Sequence, residues 1–168
     1  MDIVEKARIF ARAAHAAVGQ RRKYTGEEYI YHPMEVATIV QGAGGDVNMI
    51  AAAILHDVIE DTQVTEEILR DEFSDDITDL VLWLSDVSKP EDGNRAARKR
   101  IDREHSAAAP ARAQTIKYAD FISNTRSITE HDKDFSKVYL VEKQLALEMM
   151  DKGDPELRAK AMEIVNAD

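Results

Sequence analysis

The sequence predicts an all-α fold: a single domain of about eight to ten helices over residues 1–168. Three observations carry this. Ala, Glu, Arg, Lys and Met, strong helix formers, dominate the chain. No stretch alternates apolar and polar residues with the period of two that a half-buried strand needs. Gly and Pro fall at intervals that end one helix and begin the next, and the polar stretches between them are short.

The elements follow in order. Asp2 caps a first helix that runs to about Val18, with Ile3, Ala7, Phe10, Ala14 and Ala17 near helical spacing, and Gly19 ends it. A polar loop covers Gln20 to Glu28. Pro33 starts a helix to about Gln41, and Gly42, Gly44 and Gly45 break it. Asp46 caps a helix from about Val47 to Glu60. Its apolar residues crowd all round, which marks a buried central helix. Thr65 opens a short helix, and another spans roughly Asp75 to Ser85, with Trp83 in the core. A charged helix from about Asn94 to His105 reads as a solvated face. Pro110 starts a helix to about Ile128, one from about Phe135 to Asp151 follows, and Pro155 starts the last, to about Val165. No repeat or linker separates two domains.

Composition narrows the function. The chain is 44% hydrophobic and 32% charged, too apolar for disorder. No apolar run approaches the ~18 residues of a membrane span, and the charged N-terminus does not read as a signal peptide. There is no Cys, which excludes disulfides, a thiolate zinc site and a cysteine nucleophile and suits the cytoplasm. With 22 Lys plus Arg against 32 Asp plus Glu, the net charge of −10 argues against nucleic-acid or anionic-membrane partners. An anionic substrate must then meet a metal or a local basic cluster. Arg21, Arg22 and Lys23 form the densest positive run upstream of the candidate site. Composition is silent on oligomeric state.

The chemistry concentrates in four residues. His56-Asp57 lies in the most apolar helix, and a buried carboxylate demands a hydrogen bond, an ion pair or a metal. Glu60 and Asp61 stand four residues beyond His56 and Asp57, so all four are expected on one face of one helix. Their mutual repulsion calls for a divalent cation. Asp120 sits in a second apolar helix with Asn124 one turn on, and His32 precedes Pro33. Mixed imidazole and carboxylate donors suit Mn, Fe, Co, Ni or Zn better than Ca or Mg. His15 reads as structural or solvent-exposed, and His105 and His131 lie in polar stretches.

The order His32, His56-Asp57, Asp120 resembles the HD-domain metal-dependent phosphohydrolases. The nearer resemblance is to the hydrolase domain of the RelA/SpoT-type alarmone enzymes, particularly the stand-alone, Mesh1-like small alarmone hydrolases. The segments that carry it are Gly19–Lys23 with Thr25–Pro33, Ala52–Thr62 and Lys117–Asp120 with Asn124 and Arg126. The pattern His-Asp-x-x-Glu-Asp is the specific part. The resemblance implies an HD-domain helical bundle in which His32, His56, Asp57 and Asp120 hold one Mn²⁺. It implies that Glu60 and Asp61 orient and deprotonate the attacking water. Arg22 and Lys23, beside Arg21, would contact base and phosphates, with Asn124 and Tyr139 touching the nucleotide. The implied reaction removes pyrophosphate from the 3′ position of (p)ppGpp or (p)ppApp, a small-molecule purine nucleotide. Its rivals are another nucleotide substrate, such as the 2′-phosphate of NADPH, and an inactive nucleotide-binding regulator. The family commonly has Pro where Glu28 stands, and the step from His15 to the Arg-Lys pair is about two residues longer here. The chain stops at Asp168, leaving room for the hydrolase alone.

Overall fold

Side-chain caps begin most of the helices. Asp2, Asp46, Thr65, Ser74, Asn94, Asp132 and Asp154 each accept a hydrogen bond from a backbone N–H in the first turn, satisfying a donor that the helix itself leaves without a partner. The computed structural model describes residues 1–167. Among them are ten α-helices, a 3₁₀ turn at Pro90–Asp92 and an isolated antiparallel bridge between Arg21 and Glu28. The all-α expectation holds. The chain divides into two compact units, Met1–Ser85 and Asp86–Asp168.

The first unit holds α1 (Ile3–Ala17), α2 (Tyr31–Gly42), α3 (Val47–Leu55), α4 (Val58–Asp61), α5 (Glu66–Glu72) and α6 (Asp75–Leu84). At its centre lies α3, whose residues Ala51 to Leu55 are fully enclosed, and α1, α2 and α6 pack around it. Three successive alanines let neighbouring backbones approach closely, so the most apolar segment becomes the hub.

The second unit holds α7 (Arg95–Ala108), α8 (Ala111–His131), α9 (Lys133–Met149) and α10 (Pro155–Val165). Its core helix is α8, which buries Ile116, Tyr118, Ala119, Phe121 and Ile122. Gln114 donates to the carbonyls of Ser106, Ala107 and Ala109 and so ties the end of α7 to α8. Gly153 lies so close to α8 that a Cβ there would sit 2.5 Å from Cε2 of Tyr118. Any larger residue would pry α10 from α8.

Three expectations are corrected. The helix expected over Val47 to Glu60 breaks at His56 and Asp57: α3 ends at Leu55, and α4 restarts at Val58. The His56 N–H reaches back three residues to Ala53 at a long 3.5 Å, while the Asp61 N–H closes on Asp57 at 3.0 Å. The chain therefore tightens and turns at the pair, and the shared helix face expected of His56, Asp57, Glu60 and Asp61 does not exist. Second, α2 starts at Tyr31, so His32 lies inside it; Pro33 is tolerated because first-turn N–H groups have no helical partner. Third, Trp83 is half-buried, whereas Leu80, Val81 and Leu84 supply the core contacts. In α7 the charged face hides one residue, Asp102, 8% exposed.

Candidate metal centre

Two buried imidazoles and one carboxylate meet in the first unit. His32 comes from the first turn of α2, and His56 and Asp57 come from the break between α3 and α4. Both His are 2% exposed. Nε2 of His56 stands 3.1 Å from Oδ2 of Asp57, and Nε2 of His32 stands 3.7 Å from the same oxygen. One ligand atom from each of the three residues lies within 4.8 Å of the others. Donors about 2.1 Å from a shared ion stand at most about 4.2 Å apart, so the cluster needs little adjustment to hold one.

The protonation pattern favours a cation. Nδ1 of His56 lies 2.6 Å from the Ala53 carbonyl, which only an N–H can satisfy. In the neutral ring Nε2 then carries the lone pair, and it points at a carboxylate oxygen. Two electron-rich atoms at that distance repel, and a metal ion converts the repulsion into two bonds. The break in the helix supplies this geometry: the tightened turn brings the Ala53 carbonyl under the His56 ring. The hydroxyl of Tyr29 donates to Oδ2 of Asp57 at 2.6 Å and holds that carboxylate in place.

Around the cluster lies a polar shell. His15, on the last turn of α1, is 1% exposed, and its ring tilts over Tyr29 at 4.6 Å. Of the two expectations for His15, structural or solvent-exposed, the structure shows the first. Its Nδ1 lies 2.7 Å from Oε1 of Gln20, and Nε2 of Gln20 donates to Oδ2 of Asp61 at 3.1 Å. Burial pulls the His15 imidazole below its ordinary value, against the opposing hydrogen bond with Gln20. Asp61 is held above the usual carboxylate range, chiefly by partial desolvation, against the opposing hydrogen bond from Gln20. Glu60 is exposed beside it on α4.

The basic loop folds back on itself. Backbone bonds join Arg22 to Glu27 and Gly26 to Arg22, and the Arg21 guanidinium donates to the Gly26 carbonyl. Glu28 pairs with Arg12 at 3.0 Å, so the loop is fastened by charge. Arg21 and Lys23 are exposed, and the Lys23 ammonium lies over the Tyr24 ring. A cleft of about 100 Å³ opens between α1 and this loop, lined by His15, Gln20, Arg21 and Tyr29 among others.

The remaining predicted residues lie in the second unit. Asp120 is 7% exposed on α8, and Nδ2 of Asn124 donates to its Oδ1 at 2.9 Å. Tyr139, on α9, is buried near Asp120; desolvation, reinforced by that charge, raises its phenol far above normal. Beside it lies Lys143, whose ammonium sits 4.5 Å from the Phe121 ring centre. Burial, then Lys117 and Lys99, pull Lys143 down to about 8. Tyr29, Gln20 and Lys143 escaped the sequence reading. Gln20 had a signal: Gly19 ends α1, and residues on either side of such an end meet in space.

A family model described as HD domain matches residues 7–146. This chain belongs to the HD-domain family. Within that family it is similar to the Xenopus tropicalis guanosine-3′,5′-bis(diphosphate) 3′-pyrophosphohydrolase MESH1. The two are 33% identical over 129 residues, which cover 75% of this chain and 69% of the frog protein. It is 35% identical over 129 residues to a probable GTP pyrophosphokinase of Mycobacterium leprae, covering 76% of this HD domain chain but 16% of that protein. The chain thus spans less than a fifth of the long relatives it matches. A solved structure of a metazoan SpoT ortholog, described as hydrolysing ppGpp with a role in starvation responses, superposes with a TM-score of 0.86. It is 27% identical, with 98% of this chain and 94% of that one covered. The HD-domain family is metal-dependent in its hydrolase members, which agrees with the donor set of His32, His56 and Asp57. No helix among the described residues is long and apolar enough to cross a membrane.

Proposed function

We propose that this protein removes the 3′-pyrophosphate from purine alarmones, (p)ppGpp or (p)ppApp, leaving the nucleoside di- or triphosphate and pyrophosphate. The observation that carries the reading is the convergence of His32, His56 and Asp57 at the head of α4, the helix that bears Glu60 and Asp61. The frog relative, named for this reaction, supports the substrate class. In this reading residues 1–168 work as one domain, because the family match runs through the boundary between the two units.

His32, His56, Asp57 and Asp120 would hold one divalent cation, Mn²⁺ in this proposal. When bound, such an ion sets positive charge against phosphate oxygens and makes water a stronger acid. Tyr29 fixes the Asp57 carboxylate. Glu60 and Asp61 orient water and accept its proton, a task that suits the raised proton affinity of Asp61. The water oxygen adds to the phosphorus attached to the ribose 3′ oxygen. That phosphorus–oxygen bond breaks, pyrophosphate leaves, and the proton taken from water passes to the 3′ oxygen to restore its hydroxyl. Arg22 and Lys23, with Arg21 bracing the loop, attract the polyanion to an otherwise acidic chain, and Asn124 and Tyr139 contact ribose or phosphate. A cytoplasmic location goes with a reaction that returns GDP, GTP or their adenine counterparts to the nucleotide pool.

The test is a Mn²⁺-dependent assay of the purified chain on ppGpp, ppApp and NADPH, with products resolved by chromatography. Pyrophosphate release from an alarmone is the expected result. Orthophosphate release from NADPH alone, or tight alarmone binding without turnover, would overturn it.

A further inference from the structure

The end of α1 is built around two residues that the mechanism above does not use. Gly19 adopts φ +70°, a left-handed conformation that residues with a Cβ rarely enter. It lets the chain reverse so that the Gln20 N–H bonds the His15 carbonyl and the Gly19 N–H bonds the Ala16 carbonyl, both at 3.0 Å. This is the paired-bond helix ending in which the side chains flanking the glycine, here His15 and Gln20, are brought together. Usually that contact is apolar. Here it is a hydrogen bond of 2.7 Å between His15 and the Gln20 amide.

The amide has a direction. Asp61 is an acceptor, so the end of Gln20 that faces it, at 3.1 Å, must be the NH₂ group. The opposite end is then the oxygen, and His15 must present Nδ1–H to it. His15 cannot swing away, because its ring is enclosed and lies against Tyr29. A rigid buried imidazole therefore holds the amide, and the amide holds one oxygen of Asp61. The chain of contacts runs from the end of α1 to the end of α4, from the base of the Arg21–Lys23 loop to the proposed proton acceptor.

We infer that Gln20, anchored by His15, is a positioning residue that sets the orientation of the Asp61 carboxylate. It neither binds metal nor touches substrate. The inference rests on the reading of Asp61 as a group that acts on water. It predicts a loss confined to turnover, because the metal donors and the basic loop keep their own contacts.

The test uses the purified full chain loaded with Mn²⁺ and assayed on ppGpp. Gln20→Met keeps the length and removes the amide. It is expected to lower kcat roughly ten- to a hundredfold, the scale of a lost hydrogen bond to a charged group, with KM and bound Mn²⁺ unchanged. In an Asp61→Asn background the same change should cost less than about twofold, because residues acting as one unit are not additive. His15→Phe, which keeps a ring against Tyr29, should give the same kcat-selective loss in smaller measure and serves if Gln20→Met does not fold. Full turnover in both variants, a change in KM instead of kcat, or equal losses in the two backgrounds would overturn the role of Gln20. Those outcomes leave Asp61 untouched when Asp61→Asn itself is slow. Undiminished turnover of Asp61→Asn would overturn the role of Asp61 in water activation and this inference with it.

Discussion

Asp102 in the second unit is buried, Asp57 in the first is half-buried, and the two have partners of different kinds. Asp102 in the second unit accepts from the backbone N–H groups of Val87 and Ser88 and from the Ser88 hydroxyl, at 2.7–3.0 Å. Each of these neighbours is a donor, so both carboxylate oxygens are satisfied by protein and Asp102 pins residues 87–88 onto α7. Asp57 in the first unit accepts from the Tyr29 hydroxyl and stands beside Nε2 of His56 and Nε2 of His32. A buried carboxylate ringed by N–H and O–H groups is a staple. One that stands beside two imidazole nitrogens has the surroundings of a candidate ligand. The partners separate the two cases, and burial by itself does not.

The largest expected effect breaks this comparison directly. Asp57→Asn should abolish both stoichiometric metal and turnover while the chain stays folded. Asp102→Ala should keep its metal and lose about 1.5–3 kcal/mol of stability, since its donors are left without an acceptor. Metal analysis and thermal unfolding of the two variants side by side decide the matter; a metal-bearing Asp57→Asn protein would make Asp57 a second staple. Asp120, with Asn124 as donor, tests the same distinction: as the fourth ligand, its Asn variant should follow Asp57 in losing metal.

Next in size is Glu60→Gln. It should retain metal and substrate affinity and lose turnover by roughly a hundredfold or more, as expected for a lost general base. Loss of metal instead would add Glu60 to the donor set. A smaller effect sharpens the role of the Tyr29 hydroxyl at Asp57. Tyr29→Phe removes only the hydroxyl and should weaken Mn²⁺ binding roughly tenfold, measured by metal titration.

The smallest effect concerns the second unit alone. Lys143 has a folded value of about 8 against an ordinary 10.5. Below about pH 8 its charge is buried at a cost to the folded state. Between pH 8 and 10.5 the folded state sheds that proton before the unfolded chain does, so stability is regained as pH rises. Lys143→Met should therefore raise the unfolding midpoint by about 2–4 °C at pH 7, with the gain vanishing near pH 10.5. A gain independent of pH would assign the effect to packing instead of charge.

Much of this molecule is written locally. Caps at Asp2, Asp46 and Asn94, the start at Pro155 and the apolar crowding of Ala51 to Leu55 depend on neighbours a turn away, so the all-α class and most helix ends were legible. The spacing of His32, His56-Asp57 and Asp120 was legible too, because donor types and their order are properties of the chain. The break at His56 was not. A run of nine helix-compatible residues gives no local reason to stop, and the turn is set by a side chain bonding its own backbone at Ala53 within a closed core. The same limit hid the pairing of His15 with Gln20 and of Gln20 with Asp61. A histidine on a helix and a glutamine in a loop have no assigned partner until the left-handed Gly19 brings them together and α4 places Asp61 against the amide. Sequence determines which groups are available and how each short segment turns. Tertiary structure decides which of them point at one another, because hydrogen-bond direction and the repulsion of lone pairs act only across the few ångströms that folding closes.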